Sequence, residues 1–184
     1  METVPAIVII LGSSASGKTT LARRLAAELR IPVLCKDDIK EALFDCLGVG
    51  DRARSLNYSR ASFTALTNLA RTQIAAGVSC ILEGNWRPQH RDGLLLLTSE
   101  SGARLAQIAC RAETQEIRRR FAQRRRHRGH LDAVLAGEMP PDAASAPDCL
   151  DLPGPQFSYQ SDRETSLADV VAALRLWLRS DAPV

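Results

Sequence analysis

The octapeptide Gly12-Ser13-Ser14-Ala15-Ser16-Gly17-Lys18-Thr19 satisfies G-x-x-x-x-G-K-[ST] at every position. Each residue type in it has a physical reason. Gly12 and Gly17 permit backbone turns that a Cβ would obstruct. The N–H groups of Ser13, Ser14, Ala15 and Ser16 then converge as an anion nest. The helix opening near Lys18 adds the partial positive charge of its N-terminus. The Lys18 ammonium reaches the β- and γ-phosphates, and the Thr19 hydroxyl takes one Mg²⁺ position. Thr20 follows in the same turn and completes the nucleotide-binding set. The motif follows an apolar strand and opens an amphipathic helix, which is the context the pattern requires. The expected ligands are ATP, or a close relative, and Mg²⁺.

Two carboxylate-bearing junctions accompany this loop. Lys36-Asp37-Asp38-Ile39-Lys40 follows a short strand, and in a parallel α/β sheet that strand end faces the same crevice as the phosphate loop. Asp37 is the candidate for accepting the proton of an attacking hydroxyl, as general base or orienting group. Asp38 is the expected helix cap. The second junction is Ile81-Leu82-Glu83-Gly84-Asn85-Trp86-Arg87-Pro88. Glu83 either holds Mg²⁺ through water or contacts the acceptor, and Asn85, Trp86 and Arg87 line the acceptor pocket. The competing reading is an ordinary turn with Trp86 in the core. The expected metal set is Thr19, Asp37 and Glu83.

A basic segment supplies the third element. Arg118, Arg119, Arg120, Arg124, Arg125, Arg126 and Arg128 fall within eleven residues, with His127 and His130 alongside. Seven arginines cannot share one helical face, so some are simply solvated. Arginine is nevertheless the side chain best suited to the spread negative charge of a transferring phosphoryl group. An Arg-bearing lid also excludes water. Arg124 and Arg126 are the candidates to act in the chemistry with Lys18 and Asp37, and Arg120 and Arg124 to hold nucleotide phosphates.

These residues need a frame, and the apolar pattern provides one. Strands are expected at 6–11, 33–35, 79–82, 104–110 and 156–160. Helices are expected at about 18–29, 38–47, 54–76, 114–128 and 167–178, with a helix and its loops in 88–100. Alternating strands and helices indicate an α/β domain with a mainly parallel sheet. No linker divides the chain, so residues 1–184 read as one domain with a lid at about 114–140. Switch GTPases are disfavoured because N-K-x-D is absent. Mechanical ATPases are disfavoured because no apolar strand ends in Asp and the chain is small.

Composition narrows the classes further. The chain of 184 residues carries a net charge of +3, too small an excess to argue for a nucleic-acid binder. Aromatics make up 4%, which leaves few stacking platforms for single strands. The five cysteines are odd in number and lack C-x-x-C spacing, which suits a reducing compartment better than a disulfide framework. The N-terminal apolar run is too short for a membrane span. The expectation is a soluble, cytoplasmic protein.

The combination of Gly12–Thr19, Lys36-Asp37-Asp38, Ile81–Arg87 and Arg124–Asp132 resembles the AAA_33-type P-loop kinases. These are relatives of chloramphenicol phosphotransferase, zeta-toxin-like kinases, gluconate kinase and the kinase domain of polynucleotide kinase. The resemblance spans nearly the whole chain. It implies a three-layer α/β/α P-loop fold with five parallel strands ordered 2-3-1-4-5 and a small helical lid. It also implies an acceptor hydroxyl activated by Asp37, acceptor contact from Lys40 where Arg is frequent, and phosphate contacts from Arg120, Arg124 and Arg126. The function expected from these residues is phosphoryl transfer from ATP to a small-molecule alcohol. A nucleic-acid 5′-hydroxyl or nucleotide sugar as acceptor, and a nucleotide-binding regulator without an acceptor, are the alternatives.

Overall fold

The computed structural model describes residues 4–130, 147, 149–163 and 167–180. Strands are β1 (Ala6–Leu11), β2 (Val33–Cys35), β3 (Cys80–Glu83), β4 (Arg104–Arg111) and β5 (Gln156–Gln160). Helices are α1 (Lys18–Leu29), α2 (Lys36–Leu47), α3 (Arg52–Ala75), α4 (Arg91–Ser101), α5 (Thr114–Gln123) and α6 (Leu167–Arg179), with a 3₁₀ turn at Pro88–His90 before α4. The sheet order is β2-β3-β1-β4-β5, and every pairing is parallel. This is the α/β P-loop kinase topology that the resemblance implies.

β1 lies at the centre, and all six of its residues have no solvent exposure. Its period-two alternation divides the core. Ile7, Ile9 and Leu11 pack with Leu66, Ala70 and Ile74 of α3 and with Leu94 and Leu97 of α4. Val8 and Ile10 pack on the other face with Leu21 and Leu25 of α1 and with Val170, Val171 and Leu174 of α6. Burying each such Leu or Ile contributes about 1.5–3 kcal/mol, so the central strand is fixed from both sides.

Two polar residues of β4 anchor the segments C-terminal to it. Gln107 is 1% exposed, and its amide both donates to the Leu150 carbonyl and accepts from the Leu150 N–H, at 3.0 and 2.8 Å. Arg104 donates to the carbonyls of Trp177, Leu178 and Ser180. Its guanidinium thus covers the carbonyls at the α6 C-terminus, where a cation is favourable. Gly154 has φ +96°, and a Cβ there would overlap the Leu105 carbonyl oxygen. The chain therefore enters β5 by a path only glycine allows.

Two helix boundaries differ from the sequence reading. Neither Asp37 nor Asp38 caps α2. The helix starts at Lys36 with Cys35 as N-cap and no side-chain cap bond, and Asp38 instead pairs with Arg23 at 3.2 Å. The basic helix also ends early. α5 stops at Gln123, and Arg124 is extended at φ −69°, ψ 136°. In a helix, residues two apart lie about 200° apart around the axis, so Arg124 and Arg126 could not share a face. In extended chain they can, and both line one cavity beside the β1–α1 loop. Residues 131–140 of the expected lid, Asp132 included, lie outside the described residues. Among the described residues, no helix is long and apolar enough to cross a membrane.

Candidate active site

The β1–α1 loop is shaped by positive φ values at Gly12 (147°), Ala15 (63°) and Gly17 (96°). Ala15 is the informative one, because a left-handed conformation costs a residue with a Cβ about 1–2 kcal/mol. Strain of that kind persists where the surroundings over-determine the backbone, and the loop is closed on itself by a hydrogen bond from the Ser16 N–H to the Ser13 carbonyl at 3.3 Å. Gly17 caps α1 with no side-chain hydrogen bond, so the first N–H groups of α1 keep their capacity for an anion. Lys18 is 6% exposed and curls across the loop to donate to the Ser13 carbonyl at 2.7 Å. Ser16 Oγ is buried without a hydrogen-bond partner, the kind of orphan that a polar ligand satisfies.

The underside of this loop is equally constrained. The Ser16 carbonyl accepts from Ser161 Oγ at 2.6 Å and from Cys110 Sγ at 3.2 Å. A Cβ at Gly12 would overlap the Cys110 carbonyl oxygen, and its φ is one that L side chains rarely adopt. Gly12→Ala should therefore lift the loop off β4. The expected result is a folded protein whose Mg-ATP affinity by calorimetry falls at least tenfold, about 1.4 kcal/mol or more.

The acidic groups meet the loop through strand register. β3 pairs Glu83 with Cys35 of β2 and with Ile10 of β1, so the end of β3 and the start of α2 open beside the β1–α1 loop. Glu83 Oε2 accepts from Thr19 Oγ1 at 3.3 Å. Burial raises the Glu83 carboxyl above the ordinary carboxylate range, with Lys18 opposing the rise. Burial likewise lowers the Lys18 ammonium from its ordinary value, and Glu83 opposes that fall. A divalent cation at this point would favour the charged carboxylate of Glu83, and a phosphate would favour the charged ammonium of Lys18. Thr19 and Glu83 supply hard oxygen donors of the type Mg²⁺ takes.

Asp37 faces them from the first turn of α2. Burial pushes its carboxyl up, but Lys36, Arg126 and His130 outweigh that, and it is held well below the usual carboxylate range. Lys36 Nζ donates to Oδ1 at 3.0 Å, and Arg126 donates to Oδ2 in a short ion pair. Arg120 donates to Ser161 Oγ at 2.7 Å and pairs with Glu116 at 2.7 Å, which ties α5 to the loop after β5. The Arg124 guanidinium lies 4.2 Å from the Phe121 ring centroid.

A cavity of about 440 Å³ gathers these groups. Ser14, Ala15, Gly17, Lys18, Thr19 and Thr20 form its floor, with Asp37, Glu83 and Asn85 and the arginines Arg120, Arg124, Arg125 and Arg126 around it. Three residues of the expected acceptor set do not line it. Trp86 is 1% exposed and packs in the core, its Nε1 donating to the Leu82 carbonyl, so the ordinary-turn reading holds for its ring. Lys40 is turned toward α3, donating to Ser55 Oγ at 3.0 Å with its ammonium 5.3 Å from the Phe44 ring centroid. The Arg87 N–H donates to His90 Nδ1, closing the turn before α4. Two residues escape the sequence reading of the site. Ser161, just past β5, touches the phosphate loop, and the strand-end rule for parallel sheets would have reached it. Lys36 stands out in the sequence only as the neighbour of Asp37.

The sheet order and the seat of the glycine-bounded loop between β1 and α1 define the class. This is a P-loop NTPase on the small-kinase fold. Its family follows from comparison with known sequences: the model of the AAA_33 family, described as an AAA domain, matches residues 7–138, and the chain belongs to that family. A kinase candidate from Chloroflexus aurantiacus J-10-fl, known from a crystal structure, is 28% identical and superposes with a TM-score of 0.85 over 99% of this chain and 100% of that one. The APS kinase CysC of Mycobacterium tuberculosis, solved with AMPPNP and APS, shares the fold at 19% identity and a TM-score of 0.60, over 97% and 99% of the two chains. An uncharacterized protein of Mycobacterium tuberculosis is 27% identical over 141 residues. That match takes in 72% of this chain but 28% of the relative's length.

Proposed function

We propose that this chain is an ATP- and Mg²⁺-dependent phosphotransferase whose acceptor is a hydroxyl of a small molecule. One observation carries the reading. A phosphate-binding floor, two carboxylates and four arginines converge on a single cavity, whereas nucleotide binding alone needs no Asp37 at its edge. Kinase-like neighbours at the level of the fold support a phosphotransferase in general.

In this reading the N–H groups of residues 13–17 and the start of α1 hold the triphosphate. Lys18 leaves the Ser13 carbonyl for the terminal phosphates. Thr19 and Glu83 are the residues that would hold Mg²⁺, which neutralises charge on the phosphate oxygens when bound. Asp37 orients the acceptor hydroxyl and takes up its proton. Arg124 and Arg126 offset charge on the transferring group, and Arg120 steadies the nucleotide end of the cavity. Asn85 is the remaining acceptor contact. Residues 1–184 act as one kinase domain, with residues 114–140 as its lid. The five free thiols, two of them exposed, support a reducing, cytoplasmic setting.

The test is a panel of alcohol metabolites and hydroxylated antibiotics, read by ADP release in Mg-ATP. At least one small alcohol is expected to accelerate release. Acceleration by oligonucleotides alone, weakening steeply with salt, would move the acceptor to nucleic acid. Slow hydrolysis that no alcohol changes would make the protein a nucleotide-binding regulator.

A further inference from the structure

Lys36 is a residue that stability alone does not explain. It opens α2, where the helix dipole disfavours a cation, and its side chain is 6% exposed. A buried ammonium carries a desolvation cost of several kcal/mol unless well paired. The first position of a helix ordinarily favours Pro or an acidic residue instead. The surroundings are nevertheless built to hold Lys36. Its ammonium lies 5.9 Å from the centroid of the Phe63 ring on α3. Gly84, after β3, leaves the space beside its stem: a Cβ there would stand 3.3 Å from both Lys36 Cβ and Phe63 Cε1. Three separate elements thus fix one side chain.

Their common target is Asp37. The two carboxylate oxygens have different partners, Lys36 on Oδ1 and Arg126 on Oδ2. Arg126 comes from the extended segment after α5 and lines the phosphate cavity. Lys36 belongs to the packed base of α2 and is absent from the cavity lining. The two contacts are therefore not equivalent. One can be exchanged for a phosphate group, while the other stays with the fold.

We propose that Lys36 is a positioning residue for phosphoryl transfer: it holds Oδ1 so that Oδ2 is aimed at the acceptor hydroxyl when Arg126 turns to the phosphoryl group. This rests on the reading of Asp37 as the group that orients the acceptor. Lys36 touches neither nucleotide nor acceptor. Its effect passes through the angle of one carboxylate, and a small misplacement of an orienting group is costly in rate. Gly84 and Phe63 acquire a purpose on the same account, as the wall that keeps the ammonium from swinging to solvent.

The test uses Lys36→Met, which keeps the stem against Phe63 and removes the ammonium. Single-turnover ADP release from Mg-ATP is measured with enzyme in excess, with water as the acceptor and with any alcohol the panel identifies. Lys36→Met is expected to lower the rate about 10–100-fold while the KM for Mg-ATP stays within about twofold, the pattern of a group that acts in the transition state alone. In an Asp37→Asn background the same change is expected to cost nothing further, because the two residues act as one unit. Lys36→Arg should recover part of the rate. Independent, multiplying losses in the double variant would overturn the proposal, as would a loss confined to KM or no loss at all. If Lys36→Met does not fold, Lys36→Gln replaces it; failure of both to fold would make Lys36 a packing residue and overturn the proposal equally. A normal rate in Asp37→Asn sinks the reading of Asp37 itself. A slow Asp37→Asn beside an unaffected Lys36→Met sinks only the role given to Lys36.

Discussion

Lys18→Ala is expected to lower Mg-ATP turnover about 10²–10³-fold, the usual cost of removing one preorganised donor from a site of developing charge. Nucleotide affinity should fall about tenfold or more, since a hydrogen bond to a charged group contributes about 1.5–3 kcal/mol. The reason lies in how Lys18 is held before ligand arrives. Its ammonium is buried, donates to the Ser13 carbonyl and faces Glu83, while burial lowers its pKa. A triphosphate repairs this arrangement by supplying the negative charge that the site lacks. With alanine at 18, Glu83 loses a cationic partner and its already raised carboxyl rises further, which weakens the metal site as well. The measurement is calorimetry with Mg-ATP and Mg-GTP beside a thermal melt. Unchanged affinity in a folded variant would end the phosphate-binding reading. Lys18→Arg should not rescue, because a planar fork does not fit where a compact ammonium crosses a tight loop.

The fold is legible in the sequence where local pattern and global role coincide. β1 is apolar on both faces because helices cover both, and its six residues announce a central parallel strand. The loop after it is legible because its chemistry is local, each glycine answering to one turn. The order of the strands is not local at all. Nothing in the residues of β3 states that it sits between β1 and β2, and only the family resemblance carries that order. Helix limits fail where side chains have competing partners. Asp38 has the chemistry of a cap, but Arg23 on α1 takes it, and a cap requires a backbone N–H to be the better offer. The 118–128 stretch reads as helix from its composition, yet Arg126 is needed at Asp37, 89 residues away in sequence, and the chain becomes extended to reach it.

The acceptor side shows the same limit more sharply. Trp86 and Arg87 read as pocket residues because they follow a strand end that faces the crevice, and Lys40 because the family resemblance implies an acceptor contact there. Proximity of a segment does not fix the direction of a side chain. Trp86 finds more apolar area inward, next to Phe63 and His90, and burying an indole outweighs any polar use of its edge. Lys40 follows its helix face toward Ser55 rather than the crevice. Lys36 is visible in the sequence only as the neighbour of Asp37. Its burial depends on Phe63 and Gly84, neither of which is near it in sequence.

Asp37→Asn is the second large effect, expected to lower turnover about 10²–10⁴-fold with Mg-ATP affinity within about threefold of the parent. The low pKa of Asp37 decides what kind of help it gives. A carboxylate held well below its usual range by Lys36 and Arg126 is a weak proton acceptor, so its first contribution is orientation of the hydroxyl. Little base strength is needed, because phosphoryl transfer passes through a loose transition state in which the attacking oxygen has formed little bond. Departure of Arg126 toward the phosphoryl group removes one of the charges that depress the pKa, so basicity rises as the proton becomes available. Asparagine keeps the shape but supplies no charge for Lys36 and no place for a proton. The stability consequence has a definite sign. A depressed carboxylate stabilises the fold fully above its ordinary pKa, and that contribution is lost only as pH falls through the lower folded value. Asp37→Asn should therefore melt below the parent at neutral pH, and the gap should narrow only in strong acid. Turnover near the parent's in the folded variant would remove Asp37 from the chemistry. A loss that appears wholly in Mg-ATP affinity would instead assign Asp37 to the metal, beside Thr19 and Glu83.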